Sequence, residues 1–465
     1  MSQGKIIIKS GLWYTVSNFF LRGIVFITTP IFTRLLSQEE FGSFSNYSSW
    51  MSILIIFVTL SLESTLISAR FEFEKRLDSY IKSILALGAL STFVWFILVN
   101  VFMEQISDFV GMAPVYINSM FVYLLFLPAV NLFQTREQFF YKYKISVLLS
   151  FLLSIGASVL SVVFVVNFEN RLNGRILGYI LPTILIGMVL YVLIWRRGIK
   201  VDFSDWGYAL KICVPYIPHL LSLTVLGSTD RIMITKICGE GDTALYSVAY
   251  NVAMIITMLL SALNGAFSPW LGEKLAKKEY KDIRKVSKIY ICIFVYLVIG
   301  IMLLAPEVLM IMGGKAYMSA KPVMIPVILG CMCQFLYTLF VNVEQFSKKT
   351  VGMAFASMSA ALINYGLNMW LIPKFGYIAA AYTTLIGYMW LLVIHMILVR
   401  FMKMSQVYSY RFVLVIIVFM CSVSFGMRYL YNNILMRYVI ICIYVLFLIY
   451  ASWKNRNQML KIIKK

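Results

Sequence analysis

Arg22 stands near the middle of an apolar run, with Thr15 and Asn18 seven and four residues before it and Thr29 seven after. At about 3.6 residues per turn these four side chains share one helical face. A guanidinium stays charged at any physiological pH, and its planar fork matches phosphate oxygens. An arginine at the centre of a membrane helix costs about 2.5–3.5 kcal/mol even on the mildest scale, so it is paired or functional. Two readings stand: a structural ion pair with Glu63, an acid inside the next apolar run, or a site for an anionic group.

Further polar residues follow helical spacing in other apolar runs. Ser45, Ser49, Ser52, Thr59 and Glu63 lie in the second, and Ser247, Tyr250, Thr257, Ser261, Asn264 and Ser268 in the eighth. Small hydroxyl residues also serve close helix packing. Together with His219 and Ser222 in the seventh run, they point to a hydrated cavity faced by runs 1, 2, 7 and 8. Pro215 and Pro218 remove two backbone donors within one turn, so the seventh run is expected to kink or unwind there and to gate the cavity. His219 has the chemistry to couple transport to protons; His395 in the twelfth run is a lesser candidate. Arg34, Arg231 and Lys236 are expected at an outer vestibule, unless Asp230 and Arg231 form a local ion pair. The seven cysteines include no CxxC pair, and neither a metal nor an organic cofactor is expected.

These residues need membrane helices to carry them. The chain is 61% hydrophobic and 13% charged, with apolar blocks near the length of about 20 residues that crosses a bilayer. Fourteen spans are expected, near 11–33, 44–68, 82–103, 115–135, 146–167, 175–195, 209–232, 245–269, 289–311, 322–341, 351–372, 378–399, 411–428 and 437–453. The first is too long for a signal-peptide core and is expected to be retained. With the N-terminus in the cytoplasm, the inner connections hold roughly three times as many Lys and Arg as the outer ones. Both termini are then cytoplasmic. The net charge of +21 reads as this bias plus contact with anionic lipids, not as nucleic-acid binding. In this sorting Arg22 is the one basic residue not assigned to a connection or terminus.

The chain also repeats itself. Residues 33–45 resemble 235–247 at an offset of 202, Leu132, Phe133 and 137–139 recur as Leu339, Phe340 and 344–346 at 207, and Gly174 matches Gly376 at 202 again. Spans 1–6 and 7–12 therefore read as two six-helix bundles related by a pseudo-twofold axis along the membrane normal. The expected division is 1–204, 205–404 and a terminal part, 405–465, with spans 13 and 14 and a basic tail. The repeat counterpart of Arg22 is Thr224, so an anion site there is asymmetric.

The stretch TRLLSQEEFG at 33–42, DRI at 230–232 followed by Leu245, Tyr246 and Ser247, and NMWLIPKFG at 368–376 leading into Ala379, Ala380 and Ala381 resemble the polysaccharide flippases. These are Wzx-type members of the multidrug/oligosaccharidyl-lipid/polysaccharide superfamily. Ala244 stands where the second repeat usually has glycine. The resemblance covers the twelve-helix body. It implies a carrier, not an enzyme, that moves an undecaprenyl-diphosphate-linked oligosaccharide across the bacterial cytoplasmic (inner) membrane by alternating access, for O-antigen, capsule or exopolysaccharide. Membrane lipids, a polysaccharide polymerase and assembly proteins are the implied partners, and an H+ or Na+ gradient or the membrane potential the implied drive. Thr15, Asn18, Arg22, Thr59, Glu63, His219, Ser261 and Asn264 are the expected substrate contacts. Two alternatives remain: a cation-coupled multidrug extruder of the same superfamily, and a membrane polysaccharide polymerase or glycosyltransferase. The first would need an intramembrane carboxylate, for which Glu63 is the clear candidate; the second would need a large outer loop.

Overall fold

A computed structural model describes residues 23–140, 142–347 and 351–454. Thr15, Asn18 and Arg22 lie outside them. The described elements are all helical. The first half of the chain forms α1 (Gly23–Leu35), α2 (Gln38–Thr59), short α3 (Leu66–Glu72), α4 (Leu77–Val101), short α5 (Met103–Val110), α6 (Pro114–Phe139), α7 (Tyr143–Asn167) and α8 (Arg171–Arg197). Then follow α9 (Ser204–Cys238), α10 (Glu240–Ala276), α11 (Tyr280–Gly313), α12 (Lys321–Phe346), α13 (Val351–Phe375), α14 (Tyr377–Phe401), α15 (Tyr410–Leu430) and α16 (Ile434–Lys454). Among the described residues, 11 helices are long and apolar enough to cross a membrane, and α1, α13 and α16 fill the other three expected positions.

The second span departs from expectation. Its helix does not run from 44 to 68 but stops at Thr59, where Leu60 (φ 55°) and Ser61 (φ 48°) turn left-handed before a 3₁₀ turn, Leu62–Thr65, and α3. Glu63 sits in that turn, so it does not share a helical face with Thr59. Left-handed backbone is unfavourable for residues with a Cβ, and neighbours hold it here. Leu62 and Leu66 are buried, the Thr65 hydroxyl donates to the Leu62 carbonyl (2.7 Å) and accepts from Tyr80 Oη (2.9 Å), and Cys213 Sγ of α9 contacts the Ser61 carbonyl (3.8 Å).

The seventh span departs the other way. Pro215 and Pro218 do not unwind it: α9 is one helix of 35 residues, roughly 50 Å long. Proline is tolerated in membrane helices because side chains and local adjustment re-satisfy freed backbone groups.

Lipid supplies no hydrophobic drive between helices, so packing and hydrogen bonds hold the bundle together. In the first half α6 packs on α4 and α8, and α8 on α7; in the second α12 packs on α10 and α14, and α13 on α9 and α14. The halves meet where α2 lies against α9 and α10. The terminal pair is tied to α11 by Tyr296 and Tyr444, whose rings stack at 4.4 Å and whose hydroxyls donate to each other's backbone carbonyls at 3.1 and 2.8 Å. Gly300 makes room, since a Cβ there would lie 2.6 Å from Tyr444 Oη.

Candidate functional site

The polar residues of the interior collect along α9. Two turns from its far end Asp230 is buried and accepts hydrogen bonds from Tyr246 Oη of α10 (2.6 Å), Asn368 Nδ2 of α13 (2.7 Å) and the Thr384 hydroxyl of α14. Asn368 also donates to Asn364 Oδ1 (3.2 Å) and accepts from Thr383, while Asn364 donates to Thr384 (3.2 Å). One carboxylate thus joins four helices. A buried carboxylate is tolerated only when paired or hydrogen-bonded, and this one has three donors.

Arg231 points elsewhere. Its Nε donates to Ser247 (3.2 Å), its Nη1 to the Gly227 carbonyl (3.0 Å), and its guanidinium lies over the Tyr250 ring at 4.7 Å. Asp230 and Arg231 are therefore not a local ion pair, because adjacent residues on a helix do not face each other. The Asp230 cluster also corrects the reading of Glu63 as the clear intramembrane acid.

The remaining expected residues are spread along the same helices. His219 Nδ1 lies 3.0 Å from Ser357 Oγ of α13, and Asn264 of α10 accepts from Asn342 of α12 at 2.8 Å. Thr59 is buried and bonds back to the Ile55 carbonyl (2.7 Å), as Ser261 does to that of Thr257 (2.9 Å). Thr29, which shares the helical pattern of Arg22 in the sequence, accepts from Asn251 of α10 at 3.3 Å. At Gly23, the first described residue, a Cβ would lie 3.8 Å from Met258 of α10. The described part of α1 thus runs beside α10.

One end of the bundle is closed by contacts between the halves. Thr33 donates to the Met312 carbonyl (2.5 Å), Arg34 to that of Ile311 (3.1 Å) and Gln38 to that of Ala316 (2.9 Å). Arg34 is thus engaged with the end of α11, and Lys236 lies over the Phe109 ring at 5.0 Å. At this face Gly42 of α2 meets the backbone of Glu240, which opens α10.

Sorting charges by connection placed too many cations outside the helices. Arg175 lies within α8, its guanidinium 3.8 Å from the Phe32 ring and 4.0 Å from that of Phe44, and donates to Ser161 at 2.6 Å. Arg231 and Arg437 are likewise drawn into helix packing, so the expectation that every cation other than Arg22 lies in a connection or terminus does not hold. Glu137 and Glu344, the repeated acids, are also buried: the first pairs with Arg136 (2.5 Å), the second with His395 Nδ1 (2.8 Å). Sequence reasoning took Glu137 and Glu344 only as markers of the repeat and Asp230 only as a possible partner of Arg231, not as buried acids. The available signal was the i, i+4 pair Asn364 and Asn368 inside an apolar run, since amides there need partners.

Residues 7–275 match the family model described as "Polysaccharide biosynthesis protein", and 215–370 match the MatE model. An uncharacterized membrane protein of Methanocaldococcus jannaschii is 23% identical over 431 residues, covering 84% of each chain. Among solved structures, the lipid II flippase MurJ in an inward closed conformation superposes with a TM-score of 0.72 at 15% identity, over 96% of this chain and 99% of that one. An inward-facing multidrug resistance MATE family transporter gives 0.60 at 14% identity, over 84% and 95%. The fold is that of these transporters, and the first model spans more than half of the sequence: this multi-pass membrane protein belongs to the polysaccharide biosynthesis protein family.

Proposed function

We propose that the protein is a flippase for undecaprenyl-diphosphate-linked oligosaccharide repeat units, acting by alternating access in the bacterial cytoplasmic membrane with both termini in the cytoplasm. The observation that carries this is the polar seam where α1 and α2 meet α9, α10 and the end of α11 at one membrane face. A carrier needs a closure between two halves that can reopen at the other face. The twelve-helix body then works as two lobes, 1–204 and 205–404, with 405–465 as an accessory pair.

The diphosphate carries negative charge through a low-dielectric interior, and a fixed cation lowers that barrier. Arg22 is assigned that role from the sequence, with the sugar against the polar residues of α2, α9 and α10 and the prenyl chain in lipid. Asp230, with the amide and hydroxyl oxygens around it, is the best-placed group for coupling to H+ or Na+ or for sensing the membrane potential. The protein acts in this scheme as a carrier, delivering its substrate to a polymerase and assembly proteins.

Asp230 also favours a second reading, the cation-coupled multidrug extruder, which needs an intramembrane carboxylate. Deletion and complementation separate the two. Flipping predicts loss of surface polysaccharide with lipid-linked repeat units accumulating on the inner leaflet. Unchanged polysaccharide with altered dye efflux would favour the extruder.

A further inference from the structure

A cleft lies between the second six helices and the terminal pair. It consists of two adjoining hollows of about 400 and 440 Å³, which share Met318, Lys321 and Tyr431 as walls. Both sit at the face where α11 hands over to α12 and α15 to α16, the face expected outside.

The first hollow is about half polar, with Ser319, Lys321, Arg428 and Asn432 among its walls. Among the described residues, Lys321 and Arg428 have no hydrogen-bonding or ion-pair partner from a side chain. The second hollow holds Arg437, whose side chain is 4% exposed and paired with Glu307, which Tyr438 Oη also approaches at 3.1 Å. That pairing leaves Arg437 Nε buried with no acceptor and Glu307 Oε2 buried with no donor, so these two atoms are sealed from the hollow. Glu307 neutralises Arg437, so the net charge of the cleft comes from Lys321 and Arg428.

The second hollow is mainly apolar. Met310, Ile311 and Ile434 line the second hollow and are 38%, 59% and 60% exposed. Unpaired cations beside an exposed apolar surface call for a ligand with the same division: a phosphate joined to hydrocarbon. Free phosphate would leave the apolar floor uncovered, and a neutral lipid would leave the cations unpaired. The bilayer offers anionic phospholipid in great excess over any other such molecule.

We propose that this cleft binds the phosphate headgroup of an anionic phospholipid, with Lys321 and Arg428 as its cationic contacts and an acyl chain over Met310, Ile311 and Ile434. The lipid then bridges α12 and α15 on one side and α11 and α16 on the other, joining the terminal pair to the body. The site is independent of what the central path carries.

The test compares the purified wild type with the Lys321→Gln/Arg428→Gln double variant and the charge-keeping Lys321→Arg/Arg428→Lys variant. Each is delipidated, incubated with phosphatidylglycerol or phosphatidylcholine, and read by native mass spectrometry and thermal unfolding. One phosphatidylglycerol retained by the wild type and the charge-keeping variant, at least fivefold less by the Gln variant, and a thermal shift with phosphatidylglycerol only in the first two would support the site. Equal retention by all three, or equal retention of phosphatidylcholine, would overturn it. Displacement of phosphatidylglycerol by equimolar undecaprenyl diphosphate would overturn it too, by assigning the cleft to the transported lipid. Monodisperse elution of the Gln variant keeps misfolding from passing for support.

Discussion

A Cβ on Gly42 would lie 1.8 Å from the carbonyl oxygen of Glu240, so the first turns of α2 and α10 meet backbone to backbone. These are the helices that the 202-residue offset matches, and glycine is what lets them touch. Overpacking such a contact costs about 1–3 kcal/mol, enough to shift a two-state equilibrium roughly 5–150-fold. Gly42→Val should therefore favour separation at this face. Cysteines introduced beside the seam should label faster with an impermeant thiol reagent, with complementation falling in parallel. Unchanged labelling would show that the contact does not hold the face closed.

Asp230→Ala leaves Tyr246, Asn368 and Thr384 without their acceptor. Hydrogen bonds to a charged group are worth about 1.5–3 kcal/mol each, so a clear drop in thermal midpoint is expected. Asp230→Asn keeps an acceptor oxygen and should unfold closer to the wild type while losing transport, if the carboxylate carries the coupling. Full complementation by Asp230→Asn would leave the cluster a purely structural role.

Arg22→Ala should abolish complementation and Arg22→Lys should retain part of it, because lysine keeps the charge but not the planar fork. Normal polysaccharide from a well-expressed Arg22→Ala protein would remove the anion site from the mechanism.

The left-handed Ser61 supplies a stability test. Glycine carries no Cβ penalty in that region, whereas other residues give up about 1–2 kcal/mol there. Ser61→Gly should raise the thermal midpoint and Ser61→Val lower it. The opposite order would mean that the break is not held at these backbone angles.

The spans were legible because about 20 apolar residues between charged connections have one solution in a membrane. The break after Thr59 was not, since the run Thr59 to Leu62 contains neither glycine nor proline and its geometry comes from contacts with Tyr80 and Cys213. Pro215 and Pro218 signalled a kink or unwinding, yet the helix of α9 runs unbroken through both; of that expectation the unwinding alone is overturned. Polar stripes could be read along single helices, but the Asp230 cluster draws Tyr246, Asn368 and Thr384 from three other helices. Its members are up to 154 residues apart in sequence, beyond the reach of any helical period. Arg175 was misplaced for a related reason: its aromatic partners, Phe32 and Phe44, belong to α1 and α2.

The last carbonyls of α11 have no partner within their own helix, and Thr33 and Arg34 satisfy two of them from the other half of the chain. Capping by a distant segment makes a seal of unusual temper. Water can take over each such bond when the halves part, so the Thr33 bond contributes only about 0.5–1.5 kcal/mol net and that of the charged Arg34 about 1.5–3 kcal/mol. A greasy plug would resist wetting; this clasp trades one set of hydrogen bonds for another. In the proposed cycle the closed face therefore holds against leakage yet releases within the reach of a single coupling ion.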